Sequence, residues 1–219
     1  MGLFDELLKK AGARAQEAVR NGVRTVPDSK AGTSAPLPAS GNGVSVSESL
    51  TPQGYPAVTV RFGRPPQTLD ELKALPLSDL LSPYGTAALT AAALDRYEAD
   101  RGAAHEMLNF LRGPCPMSPL DEQFLRDRLA GKIYVVRSFW AGTSPQNGYA
   151  PSLPHSVTFY GDPYTYRNAG YCRLNAVSSG ADSPRQIVLR KKESTSEWFL
   201  WENCLLADIR PPAEADPWA

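Results

Sequence analysis

Apolar residues along this chain change their spacing at Gly131. Before it they recur at steps of three and four, which gathers them on one side of a helix. Thr68 and Glu71 make an S/T-x-x-E capping signature ahead of a brief helix ending near Leu75. Ser82–Pro83 pairs a cap with proline at the first helical position and opens a helix to about Glu98. Its face is mostly alanine (Ala87, Ala88, Ala91, Ala92, with Leu94), so a neighbour can come close. A third helix covers Arg101 to Leu111, and a fourth begins at Ser118–Pro119, presents Leu120, Phe124, Leu125 and Leu129, and stops at Gly131. Beyond that glycine the period is two. Ile133–Phe139, Ser156–Tyr160, Tyr171–Val177, Gln186–Lys192 and Glu197–Asn203 are predicted strands, rich in β-branched and aromatic residues. A short strand at Val58–Val60 precedes the helices. The connections after Gly131 carry turn chemistry such as Gly161–Asp162–Pro163, and short connections favour antiparallel pairing. The expectation is an α+β fold: a helical first half of about four helices packed on a mainly antiparallel sheet of about five strands.

The first quarter of the chain differs in kind. From Pro27 to Gly54 the composition turns to Pro, Gly, Ser, Ala and Thr, with little to bury against the entropy of ordering it. That stretch is predicted to be a flexible linker, although Val44 to Ser47 alternates weakly. It separates an N-terminal segment, 1–26, from a folded domain at 55–212 and a short polar tail at 213–219. Residues 3–20 are predicted to form one amphipathic helix, with Phe4, Leu8, Ala11, Ala15 and Ala18 on a stripe that Leu7 and Val19 widen. An isolated helix of this length is marginal in water, so the stripe calls for a surface to cover. Leu3, Phe4, Leu7, Leu8, Ala11 and Ala15 are the expected contact residues, toward a protein partner or the chain's own copies. A membrane surface is the weaker alternative, because Asp5, Glu6 and Glu17 offset the nearby lysines and arginines.

Charge and cysteine usage remove other classes. Lys+Arg and Asp+Glu are both 23, so the basic excess of a dedicated nucleic-acid binder is missing, and no nucleic acid is expected as partner. Asp5 and Glu6 interrupt the first apolar cluster, which falls short of the roughly 7–15 apolar residues of a secretory core. Cys115, Cys172 and Cys204 are too widely spaced for a zinc pattern and odd in number for a disulfide framework. A cytoplasmic location is expected.

The strings SPYGTAALTAAAL (Ser82–Leu94), EMLNFLRGP (Glu106–Pro114) and FLRDRLAGKIYVVRSFWAGTSPQN (Phe124–Asn147) carry a family likeness. So do SSGADSPRQIVLRKK (Ser178–Lys192) and WFLWENCLLADIRPP (Trp198–Pro212). Together they resemble a bacterial family of domains of unknown function, over about residues 55–219. The resemblance implies the domain boundary and a bacterial origin. It implies no activity, cofactor or catalytic residue.

Chemistry-bearing constellations are sparse. His105 and His155 are the only imidazole bases; His155 could meet Ser179 or Asp182 from a neighbouring turn, but no nucleophile-elbow sequence supports a hydrolase. Cys115 and Cys172 fit better as small apolar fillers than as thiolates. His105–Glu106 and Asp121–Glu122 are adjacent helical pairs that diverge, so no metal and no cofactor is expected, and no catalytic residue is assigned. Two features point instead to binding. The turn at Ser178–Arg185 is dense in polar groups, with Asp182 and Arg185 able to pair across it. Trp140, Tyr149, Tyr160, Tyr164 and Tyr166 form an aromatic series in and beside loops. The possible ligand surface is therefore Trp140, Tyr149, Tyr164, Tyr166, Asp182 and Arg185. The leading expectation is a non-enzymatic interaction module that docks or self-assembles through its N-terminal helix. The alternative is a small-molecule or carbohydrate-binding domain, or a cryptic hydrolase, with an aromatic-lined cleft.

Overall fold

The computed structural model describes residues 43–216, and in it six strands pair antiparallel in strict sequence order. They are β1 (Val44–Leu50), β2 (Pro56–Phe62), β3 (His155–Tyr160), β4 (Tyr171–Ala176), β5 (Arg185–Lys191) and β6 (Trp198–Asn203). Five helices lie between β2 and β3 in the chain: α1 (Leu69–Lys73), α2 (Pro83–Asp95), α3 (Arg101–Arg112), α4 (Pro119–Leu129) and α5 (Tyr134–Arg137). The fold is α+β. The N-terminal helix expected at residues 3–20 lies outside the described residues.

The helix starts are set by local chemistry. Thr68, Ser82, Asp100 and Ser118 each accept a hydrogen bond from a backbone amide of the first turn, removing one of the four orphan donors there. Ser118 and Asp121 complete a reciprocal capping box. α2 is the axle of the domain. It is buried on nearly all sides and packs against α3 and against β2 through β6. Only a helix that is apolar all round suits that position. Its alanines admit the neighbours closely, and Thr86 and Thr90 satisfy their hydroxyls on backbone carbonyls, Thr86 reaching Trp198 O at 3.0 Å. Val58, Val60, Phe62, Phe159, Leu174, Ile187 and Leu189 point from the sheet into the same core as α2 and α3. The opposite side chains, among them Thr59, Thr158, Tyr171, Arg173 and Val188, are outside that core. Among the described residues, no helix covers the other face of the sheet.

Two expectations are corrected. Ile133–Phe139 is helical, not a strand: Val136 N and Arg137 N both donate to Ile133 O, at 3.0 and 3.1 Å. In so short a run Ile133, Val136 and Trp140 also satisfy steps of three and four, and those three are buried. The second correction is β1, which occupies part of the stretch read as linker. Its seven residues pair in register with β2, from Val44 opposite Phe62 to Leu50 opposite Pro56. As an edge strand it is exposed along almost its whole length, so it needs backbone partners and hardly any apolar side chains. A composition scan does not see such a strand. The six strands observed therefore exceed the five or so expected.

Candidate functional site

A concavity of about 630 Å³ lies on the uncovered face where β4, β5 and β6 run side by side. Strand parity builds its floor. Tyr171 and Arg173 on β4 alternate with the buried Cys172 and Leu174, and Val188 on β5 alternates with Ile187 and Leu189. Trp201 arrives by a different route. Val188 faces Glu202 while Leu189 faces Leu200, so Trp201 is the extra residue of a β-bulge. Bulges re-aim side chains, and the Trp201 ring lines the groove.

The wall is the loop between β3 and β4, and Asp162 organises it. Its carboxylate accepts from Tyr164 N at 2.7 Å, from Asn175 Nδ2 at 3.1 Å and from the Arg173 guanidinium at 3.1 and 3.4 Å. Asp162 N in turn donates to Thr165 Oγ1 at 2.7 Å, and Arg173 N to Thr165 O at 2.9 Å. Burial alone would raise the Asp162 pKa, but the bonds from Asn175, Tyr164 and Arg173 outweigh it and hold the carboxyl below its ordinary value. The loop is thereby fastened over the sheet with Tyr164 and Arg167 at the groove. Arginines cover the rings. Arg167 and Arg173 Cζ stand 5.7 and 5.6 Å from the Tyr164 centroid, and Arg190 Cζ stands 4.7 Å from Trp201 and 5.5 Å from Tyr171. Glu202 and Cys204 close the other side, the Cys204 thiol pushed up by burial and by Glu202.

Of the six residues expected to form a ligand surface, only Tyr164 lines this groove. Trp140 and Tyr149 are corrected to core residues. Trp140 is 2% exposed and meets Phe62 edge-on at 6.1 Å; Tyr149 is 0% exposed and donates from its hydroxyl to Arg210 O at 2.9 Å. Tyr166 is exposed beside Trp198, and burial of its hydroxyl end raises its pKa strongly. Asp182 pairs with Arg210 rather than Arg185. Arg185 donates instead to Ala207 O, Asp208 O and Ser183, bracing the C-terminal segment. His155 lies tilted against Trp140, with centroids 5.1 Å apart, and has neither Ser179 nor Asp182 as hydrogen-bond partner. Cys172 is buried, its pKa pushed up to about 12 by desolvation, while Cys115 is exposed rather than a filler. Tyr171, Arg173 and Trp201 were missed as site residues because each sits inside a strand. The outward parity of Tyr171 and Arg173 against Cys172 and Leu174 was the signal available for those two.

Fold and groove together define an α+β domain with helices on one face of its sheet and an arginine–aromatic concavity on the other. The chain belongs to the family described as Domain of unknown function (DUF6935), whose model matches residues 64–213. No curated protein and no solved structure matches it. Among the described residues no helix is long and apolar enough to cross a membrane, and no group of three or more His, Cys, Asp or Glu gathers to hold a metal.

Proposed function

We propose that the domain is a non-enzymatic binding module that holds a small molecule in the groove on its uncovered sheet face. The observation that carries this is the convergence of Tyr164, Tyr171 and Trp201 with Arg167 and Arg173 around about 630 Å³. Ligand sites commonly fall between roughly 300 and 1,000 Å³, with a few oriented polar groups among aromatic walls. Binding fits better than catalysis, since the lining has no histidine and its one thiol, Cys204, is held protonated. A fragment screen on the full chain by 1H–15N NMR tests the proposal. Hits should shift the amides of Tyr171–Arg173 and Val188 and the Trp201 indole, and Tyr164→Ala should weaken them. Hits clustering elsewhere would remove the groove from consideration.

The apolar stripe Leu3, Phe4, Leu7, Leu8, Ala11 and Ala15 supports a second role, docking to a protein partner or to copies of the chain. Leu7→Glu should then lower the mass of the assembly in size-exclusion chromatography with light scattering, or abolish partner capture. An unchanged profile would end that proposal. Three unpaired cysteines, two of them exposed, favour a reducing cytoplasmic setting for both roles.

A further inference from the structure

Resting on the groove as the binding site, we infer that its ligand carries an oxyanion, a carboxylate or phosphate, received by Arg167 in the lining and by Arg190, which lies over the lining rings Trp201 and Tyr171 and itself borders the neighbouring cavity beside Pro114 and Cys115. Both side chains are exposed, and among the described residues neither has a carboxylate partner; each is held only against rings. A guanidinium held over an aromatic face keeps its N–H groups available for an oxyanion, which it can take through two parallel bonds. Ordering these long side chains before the ligand arrives also lowers the entropic cost of binding.

The carboxylates nearby do not cancel this. Asp162 is engaged by Arg173, Asn175 and the Tyr164 amide, so it builds the wall rather than competing for Arg167 or Arg190. Glu202 is exposed on the neighbouring strand and, among the described residues, has no ion-pair partner, so it would meet a hydroxyl or ammonium of the same ligand. The rings themselves are less suited to sugar stacking than their number suggests. Arg167 and Arg173 already lie over Tyr164, and Arg190 over Trp201 and Tyr171. What the groove presents to a guest is therefore N–H donors backed by aromatics. Its volume exceeds that of a bare ion, and the chain's net charge of zero disfavours a long polyanion. A small organic anion fits both limits.

The test uses the full chain and a fragment set in which each carboxylate or phosphonate is matched by its neutral amide or ester. Groove resonances, above all the Trp201 indole N–H, report binding. The acids should bind and their neutral partners should bind about tenfold more weakly or not at all. Arg167→Gln with Arg190→Gln should erase that preference while the rest of the spectrum stays that of the wild type. Equal binding of acids and neutral partners in the groove would overturn the oxyanion inference and leave the groove as a site. Hits confined to other surfaces would overturn both.

Discussion

Tyr149 offers a sharp check on the correction from ligand ring to core residue. Its hydroxyl donates to Arg210 O at 2.9 Å, tying the C-terminal segment to the domain. Gly180 runs alongside, and a Cβ there would stand 2.7 Å from Ile209 Cγ2 and 3.1 Å from Tyr149 Cζ, pressed against the hydroxyl oxygen. Tyr149→Phe removes one part-buried hydrogen bond, a loss of about 0.5–1.5 kcal/mol. Gly180→Ala overpacks the same spot and should cost about 1–3 kcal/mol. The two effects share an atom. Once the oxygen is gone the new methyl has room on that side, although Ile209 still crowds it. The double variant should therefore lose less than the sum, by about 0.5 kcal/mol or more. Urea unfolding of the full chain, followed by circular dichroism and fitted with a common slope, gives all three values. Additivity within about 0.3 kcal/mol would refute the contact. A weakened ligand in Tyr149→Phe, with stability unchanged, would return Tyr149 to the binding surface.

Two further outcomes follow from half-buried titratable groups. Burial lowers the His155 pKa below its ordinary 6.5, an effect that Arg137 reinforces and Asp95 opposes. Between the lowered folded value and 6.5 the unfolded chain binds more protons, so stability should fall as pH drops through 6.5 and flatten below the folded value. His155→Gln should reduce that slope in urea midpoints measured from pH 7.5 to pH 5; an unchanged slope would contradict it. Asp162 has the opposite chemistry. Its lowered pKa gives stability that is present above its unfolded value of about 3.9 and is lost as pH falls through the folded one. Asp162→Asn should cost about 1–2 kcal/mol at neutral pH and loosen the Tyr164 wall, so fragment affinity drops with it. Full affinity in a destabilised Asp162→Asn chain would show that the wall does not shape the site.

Much of the fold was legible because local chemistry and tertiary packing agree. Ser82–Pro83 and Ser118–Pro119 announce helices that begin there, and four of the five strands expected after Gly131 form. The failures have distinct causes. Ile133, Val136 and Trp140 satisfy helical spacing and Ile133, Val135 and Phe139 fall on alternate positions over the same few residues, so only the tertiary context decides. β1 is held by backbone pairing with its side chains in solvent, and hydrophobic pattern carries no trace of that. The groove was least legible. Tyr164 stood out because it lies in a loop, whereas Tyr171, Arg173 and Trp201 look like ordinary strand residues until the covered face is known. Trp201 depends besides on a bulge between Val188 and Leu189, which no period in the sequence marks.

The central claim is that a small anionic molecule lies on the uncovered face of the sheet, its acid group on Arg167 and Arg190. A crystal of the full chain soaked with a brominated aromatic acid tests it most directly through bromine anomalous scattering. The expected map places the bromine in the groove bounded by Tyr164 and Trp201, with the carboxylate within hydrogen-bond reach of Arg167 or Arg190. A bromine peak elsewhere on the molecule, or a carboxylate turned away from both arginines, would contradict the account.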